Sequence, residues 1–372
     1  MSGRPMPVRL EDRLLLRAAL LSAGEARAAW DEWRRRVDFD AVPPVALPLL
    51  PMVLHNLGPD DDADPIRARL RGVWRFAWVR NGLFHNDLTR VIRLFEGASV
   101  PVLVLGGAAL GATWYRRGEL RAISALDVLV PADRAKEAMA ILQDRDARVP
   151  IGRRGPTKAP DRVIAIRDAH TFRSASGRDL DLHWHALSRK CDALDAAVWE
   201  ASKPLALHEV TARTLCSTDE LLRVCADEAY GGASRSLIWA ADATALLRTA
   251  AHDIDWDRLM RLAGECRLRL AVRDALTWLV TNVEAPVPPS VMRSLARGPV
   301  SALERLEHVA RVGPTTRWRR AIDHLGRYSR SFRGQPLSAR LLGLGDYVIR
   351  ATEAEGPRDA AGRVWASLRR RR

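Results

Sequence analysis

Lysine is nearly missing from this sequence. Only Lys136, Lys158, Lys190 and Lys203 occur among 59 basic residues, and the rest are arginine. Scarce lysine beside abundant arginine and alanine is what a GC-rich genome produces. Cysteine is also sparse. Cys191, Cys216, Cys225 and Cys266 show no CxxC spacing, which argues against a disulfide framework or a zinc ribbon and for a reducing, cytoplasmic compartment. The opening MSGRPMPVRLEDR has no apolar signal core. The uncharged stretch 98–115 contains three glycines and is too short to span a bilayer comfortably, so a soluble protein is expected. No GxSxG, no Walker A loop and no good GxGxxG is present, and no zinc-finger, RNP or helix-turn-helix signature accompanies the charge.

What is present is an ordinary globular composition, 47% hydrophobic and 28% charged over 372 residues, with a net charge of +14. The charge is uneven. Residues 301–372 hold 16 Arg against 7 acids. Such a surface attracts nucleotides, nucleic acid or an acidic partner.

Helical periodicity runs through 9–37 and again from Asp64-Pro65 to Gly97, with Trp74, Trp78, Leu83, Leu88, Val91, Ile92 and Phe95 as expected core. VPPVALPLLP at 42–51 reads as a proline-punctuated connector. The texture then changes. VPVLVL (100–105) and LDVLV (126–130) read as strands, as do RVIAIRD (162–168) and DLDLHWHAL (179–187), the last two joined by a hairpin around SASGR. From Ser217, which forms a capping-box pattern with Glu220, the helical period returns, and VEAPVPPS (283–290) is a linker. The expected organisation is a helical region at 1–98, an α/β core at 99–209, a helical domain at 210–286 and an Arg-rich helical region at 287–372. The fold class is α+β, a small mixed sheet flanked by helices.

Three stretches carry chemistry. Gly106-Gly107 lies between a strand and a helix, where backbone N–H groups can approach phosphate, although tight turns also use glycine for geometry alone. On the strand 125–130, alternation puts Ala125 and Asp127 on one face. An acid at 125 would have set two carboxylates side by side, the arrangement that holds Mg²⁺ against a triphosphate. On DLDLHWH, Asp179, Asp181, His183 and His185 share a face. That face is either the wet side of an amphipathic strand or a site, and a zinc set of His170, His183 and His185 is a weaker alternative.

The order of the three is informative. Taken with AAVWEASKPL, STDELLRVCADEAY, LIWAADATALL and DIDWDRLMRLA, the stretches VPVLVLGGAALGATWY, LRAISALDVLVP and DLDLHWHAL resemble a bacterial family of uncharacterised nucleotidyltransferases. That family is related to the minimal and DNA polymerase β-like nucleotidyltransferases. The likeness covers roughly residues 10–286 and implies a nucleotidyltransferase palm. It implies that Gly106, Gly107 and Ala108 form the turn cradling the nucleotide phosphates. Asp127 matches the second of the paired strand acids and Asp181 the third acid, with Asp179 a further candidate ligand. Mg²⁺ is the implied cofactor, NTP the implied substrate, and the acceptor is left open among protein, small molecule and RNA. The family pattern has Asp where this chain has Ala125, and often Lys where it has Gly106. The resemblance therefore implies either Mg²⁺-dependent nucleotidyl transfer or, with activity weakened or lost at Ala125, a nucleotide- or partner-binding protein.

Overall fold

The computed structural model describes residues 9–58, 65–115, 117–145, 147–150, 160–174, 177–207, 210–230 and 237–312, with scattered positions beyond 312. The basic C-terminal region expected to attract an acidic partner thus lies largely outside the described residues.

Four helices lead, α1 (Leu10–Leu20), α2 (Ala23–Arg36), α3 (Leu50–Asn56) and α4 (Pro65–Gly97). The mixed region follows as β1 (Leu103–Leu105), α5 (Gly106–Thr113), β2 (Leu126–Leu129), α6 (Ala135–Arg145), β3 (Ala147–Pro150), α7 (Pro160–Ile166), β4 (Ala169–Ser174), β5 (Asp179–His183), α8 (Asp192–Ala201), β6 (Lys203–Ala206) and β7 (Thr211–Thr214). Helices α9 (Ser217–Tyr230), α10 (Ile238–Thr249), α11 (Trp256–Glu265), α12 (Arg269–Val283), α13 (Pro289–Arg297) and α14 (Ala302–Val312) follow, and the fold is α+β as expected.

The seven strands form one mixed sheet in the order β3-β4-β5-β2-β1-β7-β6. β1 pairs antiparallel with β2, and β2 pairs parallel with β5. The two faces of the sheet bury different cores. Val104, Leu126, Val128, Leu180 and Leu182 point toward Phe84, Leu88, Ile92 and Phe95 of α4 and toward Met139 and Leu142 of α6. Leu103, Leu105 and Leu129 point the other way, into a second core shared by α1 to α3 and by α9 to α13. Strand alternation puts Asp127 on the same face as Leu129, so its carboxylate faces the helical half of the molecule.

Several sequence expectations are corrected. RVIAIRD is not a strand: 160–166 is α7, a short helix that opens on Pro160, a residue suited to a first helical turn. The proline-punctuated segment is not a plain connector. Its last two residues, Leu50 and Pro51, open α3, and Leu49, Leu50 and, one turn on, Val53 are buried. On α4 the expected core residues Trp78 and Leu83 are exposed, at 57% and 43%, because the helix turns a different face inward there, the one that buries Ala77, Asn81 and Phe84. Glu220 makes no reciprocal cap with Ser217; its carboxylate binds Arg223 instead. Cysteine spacing misled as well. Cys191, before α8, and Cys266, after α11, form a disulfide across 75 residues of sequence. Pairing at that range depends on how α8 and α11 pack, which no local spacing encodes. No helix among the described residues is long and apolar enough to cross a membrane.

Candidate active site

The site forms where β1 hands over to α5. Leu105 is the register partner of Asp127, and the chain turns at once into a helix at Gly106, whose φ is +62°. A side chain would be strained in that left-handed conformation. It would also have no room, since a Cβ on Gly106 would lie 2.3 Å from Asp127 Oδ2. Gly107 follows with Arg121 packed against it, its Nη1 3.1 Å from the position a Cβ would take, and Ala108 is buried in the first turn of α5.

Asp127 and Asp181 are brought together. They are direct register partners on the parallel strands β2 and β5, although 54 positions separate them in sequence. His183, one pleat further along β5, puts Nε2 3.2 Å from Asp127 Oδ1. Asp181 Oδ1 accepts a hydrogen bond from Thr171 Oγ1 on β4. Asp179 lies on the same face but is engaged with Arg173 at 3.1 Å, on the outer side of the hairpin. Ala125 precedes β2 and offers no donor.

The surrounding charges split the two acids. Burial opposes ionisation of Asp127, yet the hydrogen bond and charge of His183, with Arg223 and Arg121 nearby, outweigh it and hold its carboxyl below the ordinary range. Burial, with the neighbouring Asp127, pushes Asp181 up despite Thr171. Burial penalises the His183 imidazolium, but the bond to Asp127 and the charges of Asp127 and Asp181 win, so its pKa rises. Two adjacent carboxyls pushed apart in this way are a common basis for dividing acid and base roles.

The sign of the linkage follows. His183, raised above its ordinary 6.5, contributes stability that is complete below that value and is lost as pH climbs through its folded value. Asp127, lowered from 3.8, contributes stability above that value and loses it as pH falls through its folded value. The pair is therefore strongest between about pH 4 and about pH 6.5. In urea unfolding as a function of pH, His183→Gln should flatten the decline above pH 7. An unchanged decline would mean the pair contributes nothing.

A buried framework holds this arrangement. Arg121 grips Asp242 of α10 bidentately, Nε to Oδ1 at 2.7 Å and Nη2 to Oδ2 at 2.9 Å, and Tyr115 Oη donates to Asp242 Oδ1 at 2.7 Å. Asn81 of α4 fixes the same loop, donating to Arg121 O and accepting from Ile123 N, both at 2.9 Å. On α9, Arg223 donates to Glu220 at 2.6 and 3.0 Å and to Asp227 at 2.7 Å, and Asp227, despite this, is pushed up by burial.

The zinc alternative is not supported by the arrangement. His183 is on Asp127, His185 Nδ1 is 2.7 Å from Asp195 Oδ2, and His170 is buried edge-on to Phe172 with its pKa lowered by burial. Among the described residues no group of three or more His, Cys, Asp or Glu is placed to hold a metal ion.

Sequence reasoning missed Arg121, Thr171, Arg223 and Asp242. Only Arg223 left a local signal, its spacing from Glu220 and Asp227 on one helix face. His183 was on the polar face but was not picked out from its neighbours.

Residues 46–281 match the sequence profile of a family described as "Uncharacterised nucleotidyltransferase". The chain belongs to this family. Among solved structures, an antigenic nucleotidyltransferase-like protein from Paracoccidioides brasiliensis matches at 10% identity and a TM-score of 0.32, over 60% of this chain and 94% of that one. No curated protein matches. The family assignment spans the β1–α5 turn, both acids and the helices that carry Arg223 and Asp242.

Proposed function

We propose that this member of the uncharacterised nucleotidyltransferase family binds a nucleoside triphosphate at the Gly106–Gly107 turn and transfers its nucleotidyl group to an acceptor hydroxyl. The observation that carries the reading is the register pairing of Asp127 with Asp181 directly beside the positive-φ Gly106. The first turn of α5 offers backbone N–H groups to phosphate.

The donor set suits one divalent cation. Two carboxylates on neighbouring strands, completed by water and substrate phosphates, are what a single Mg²⁺ takes. A bridged pair of ions needs a further acid, and Ala125 supplies none. Mg²⁺ bound between Asp127 and Asp181 would neutralise triphosphate charge. The chain does the rest. His183 keeps Asp127 ionised, and Thr171 holds Asp181 Oδ1, leaving Oδ2 to take the proton of the acceptor hydroxyl. The acceptor oxygen then bonds to the α-phosphorus as pyrophosphate leaves. Arg121, fixed by Asp242, supports the phosphate turn from beneath Gly107.

Ala125 favours a second reading, nucleotide binding without turnover. Calorimetry with each NTP and Mg²⁺, alongside transfer of labelled NTP to acceptors in a cell extract, separates the two. Asp127→Asn should weaken NTP binding by about tenfold or more, one lost charge-assisted contact. Transfer present in the natural chain and lost in Asp127→Asn supports the enzyme. Transfer gained only in Ala125→Asp supports the binding protein. Failure of every NTP to bind would end both readings.

A further inference from the structure

The middle of α4 faces solvent with the wrong residues for a solvated surface. Phe76, Trp78, Val79 and Leu83 are exposed at 66, 57, 53 and 43%. Gly72, Phe76, Val79 and Leu83 follow one another at intervals of four, three and four, the spacing of a seam that packs against another helix. Over residues 65–86 there are five arginines and no acid. Two of them flank the seam. Arg75 precedes Phe76, and Arg80 follows Val79, where its guanidinium stacks over Phe84 and its Nη2 donates to Ser124 O at 3.3 Å.

The charge selects the occupant. A second copy laid on this face would set arginine against arginine. The chain's own C-terminal region, with 16 Arg against 7 acids, is repelled in the same way. We propose that the Phe76–Val79–Leu83 seam of α4 docks an amphipathic helix of another protein, one that carries Glu or Asp on both flanks of its apolar stripe. Helix-in-groove recognition of this kind takes affinity from the apolar anchors and orientation from the flanking charges. Through Arg80 and Ser124 the docked helix lies beside the segment that leads into β2 and Asp127. The docking itself does not depend on the nucleotide reading.

Fluorescence anisotropy with the full chain tests this. One labelled probe is a synthetic helix with Leu at the a and d positions and Glu at e and g. The second carries Lys at e and g. The Glu probe should bind at least about tenfold more tightly than the Lys probe. Its affinity should fall by about tenfold in Phe76→Ser/Leu83→Ser and weaken as salt rises. These positions are exposed, so far-UV circular dichroism and the melting temperature should not change. Equal binding of the two probes, no binding of the Glu probe, or indifference to the double substitution would overturn the proposal. So would seam-dependent binding of phosphatidylserine vesicles or of a single-stranded RNA oligonucleotide by a chain that ignores the Glu probe.

Discussion

Asp242→Ala is expected to cost about 3–5 kcal/mol of folding stability, the penalty for leaving one member of a buried ion pair without its partner. Asp242 and Arg121 are almost wholly buried, at 3 and 7% exposure, and the contact is bidentate. Removing the carboxylate strands Arg121 Nε and Nη2 and the Tyr115 hydroxyl together. Urea unfolding reads the loss. Asp242→Asn keeps the shape and one acceptor and should fall between. Replacing both partners by apolar residues of similar size should recover most of the stability, since the pair's own net contribution is small. A loss under about 1 kcal/mol for Asp242→Ala, the value typical of a surface pair, would show that the contact is wet and that the framework beneath Gly107 is not fixed by it.

Gly106→Ala is expected to abolish NTP binding and to destabilise the fold by roughly 2–4 kcal/mol, combining left-handed strain with loss of a charge-assisted hydrogen bond. Strain arises because φ is +62°. The larger effect is steric. The new methyl would sit 2.3 Å from Asp127 Oδ2, so the carboxylate must swing away, and its bond to His183 goes with it. Gly72, in the middle of α4, provides the contrast. A Cβ there meets nothing within 4 Å, so Gly72→Ala should stabilise by up to about 1 kcal/mol through helix propensity. Thermal shift with and without nucleotide reads both effects. Full nucleotide binding by Gly106→Ala would remove Asp127 from the site.

The strands that build the centre of the sheet were legible because they are buried on both faces or alternate strictly: VLVL, LDVLV and DLDLH each read correctly. The short strands β3 and β6, at the two edges of the sheet, and β7 beside β6 were not. KPLA and TART are partly exposed and are strands only because a neighbour supplies hydrogen bonds. RVIAIRD has the residues of a strand, but the helix that takes up its residues 162–166 starts two positions earlier, at Pro160. In the candidate site, Asp127, Asp181 and Gly106 were visible because period-2 alternation and a glycine turn are local signals. Asp242 and Arg121 are 121 positions apart, and Cys191 and Cys266 are 75 apart. Such pairs exist only once the helices have packed on the sheet, so no window of sequence contains them. Trp78 and Leu83 failed for the opposite reason. Helical periodicity marks an apolar stripe but does not say whether this chain supplies the surface that covers it.

The two acids reach one another by routes of very different length. Gly106 and Asp127 are joined by the short β1–α5–β2 connection, whereas Asp181 arrives on a parallel strand only after the chain has passed through α6, β3, α7 and β4. Parallel neighbours cannot zip outward from a tight turn, so this pairing waits for distant contacts. A chain still emerging or only half assembled would own the Gly106 turn without its second carboxylate. On the proposed reading, cellular nucleotide would then engage finished molecules alone, and by mass action would hold them in that finished state.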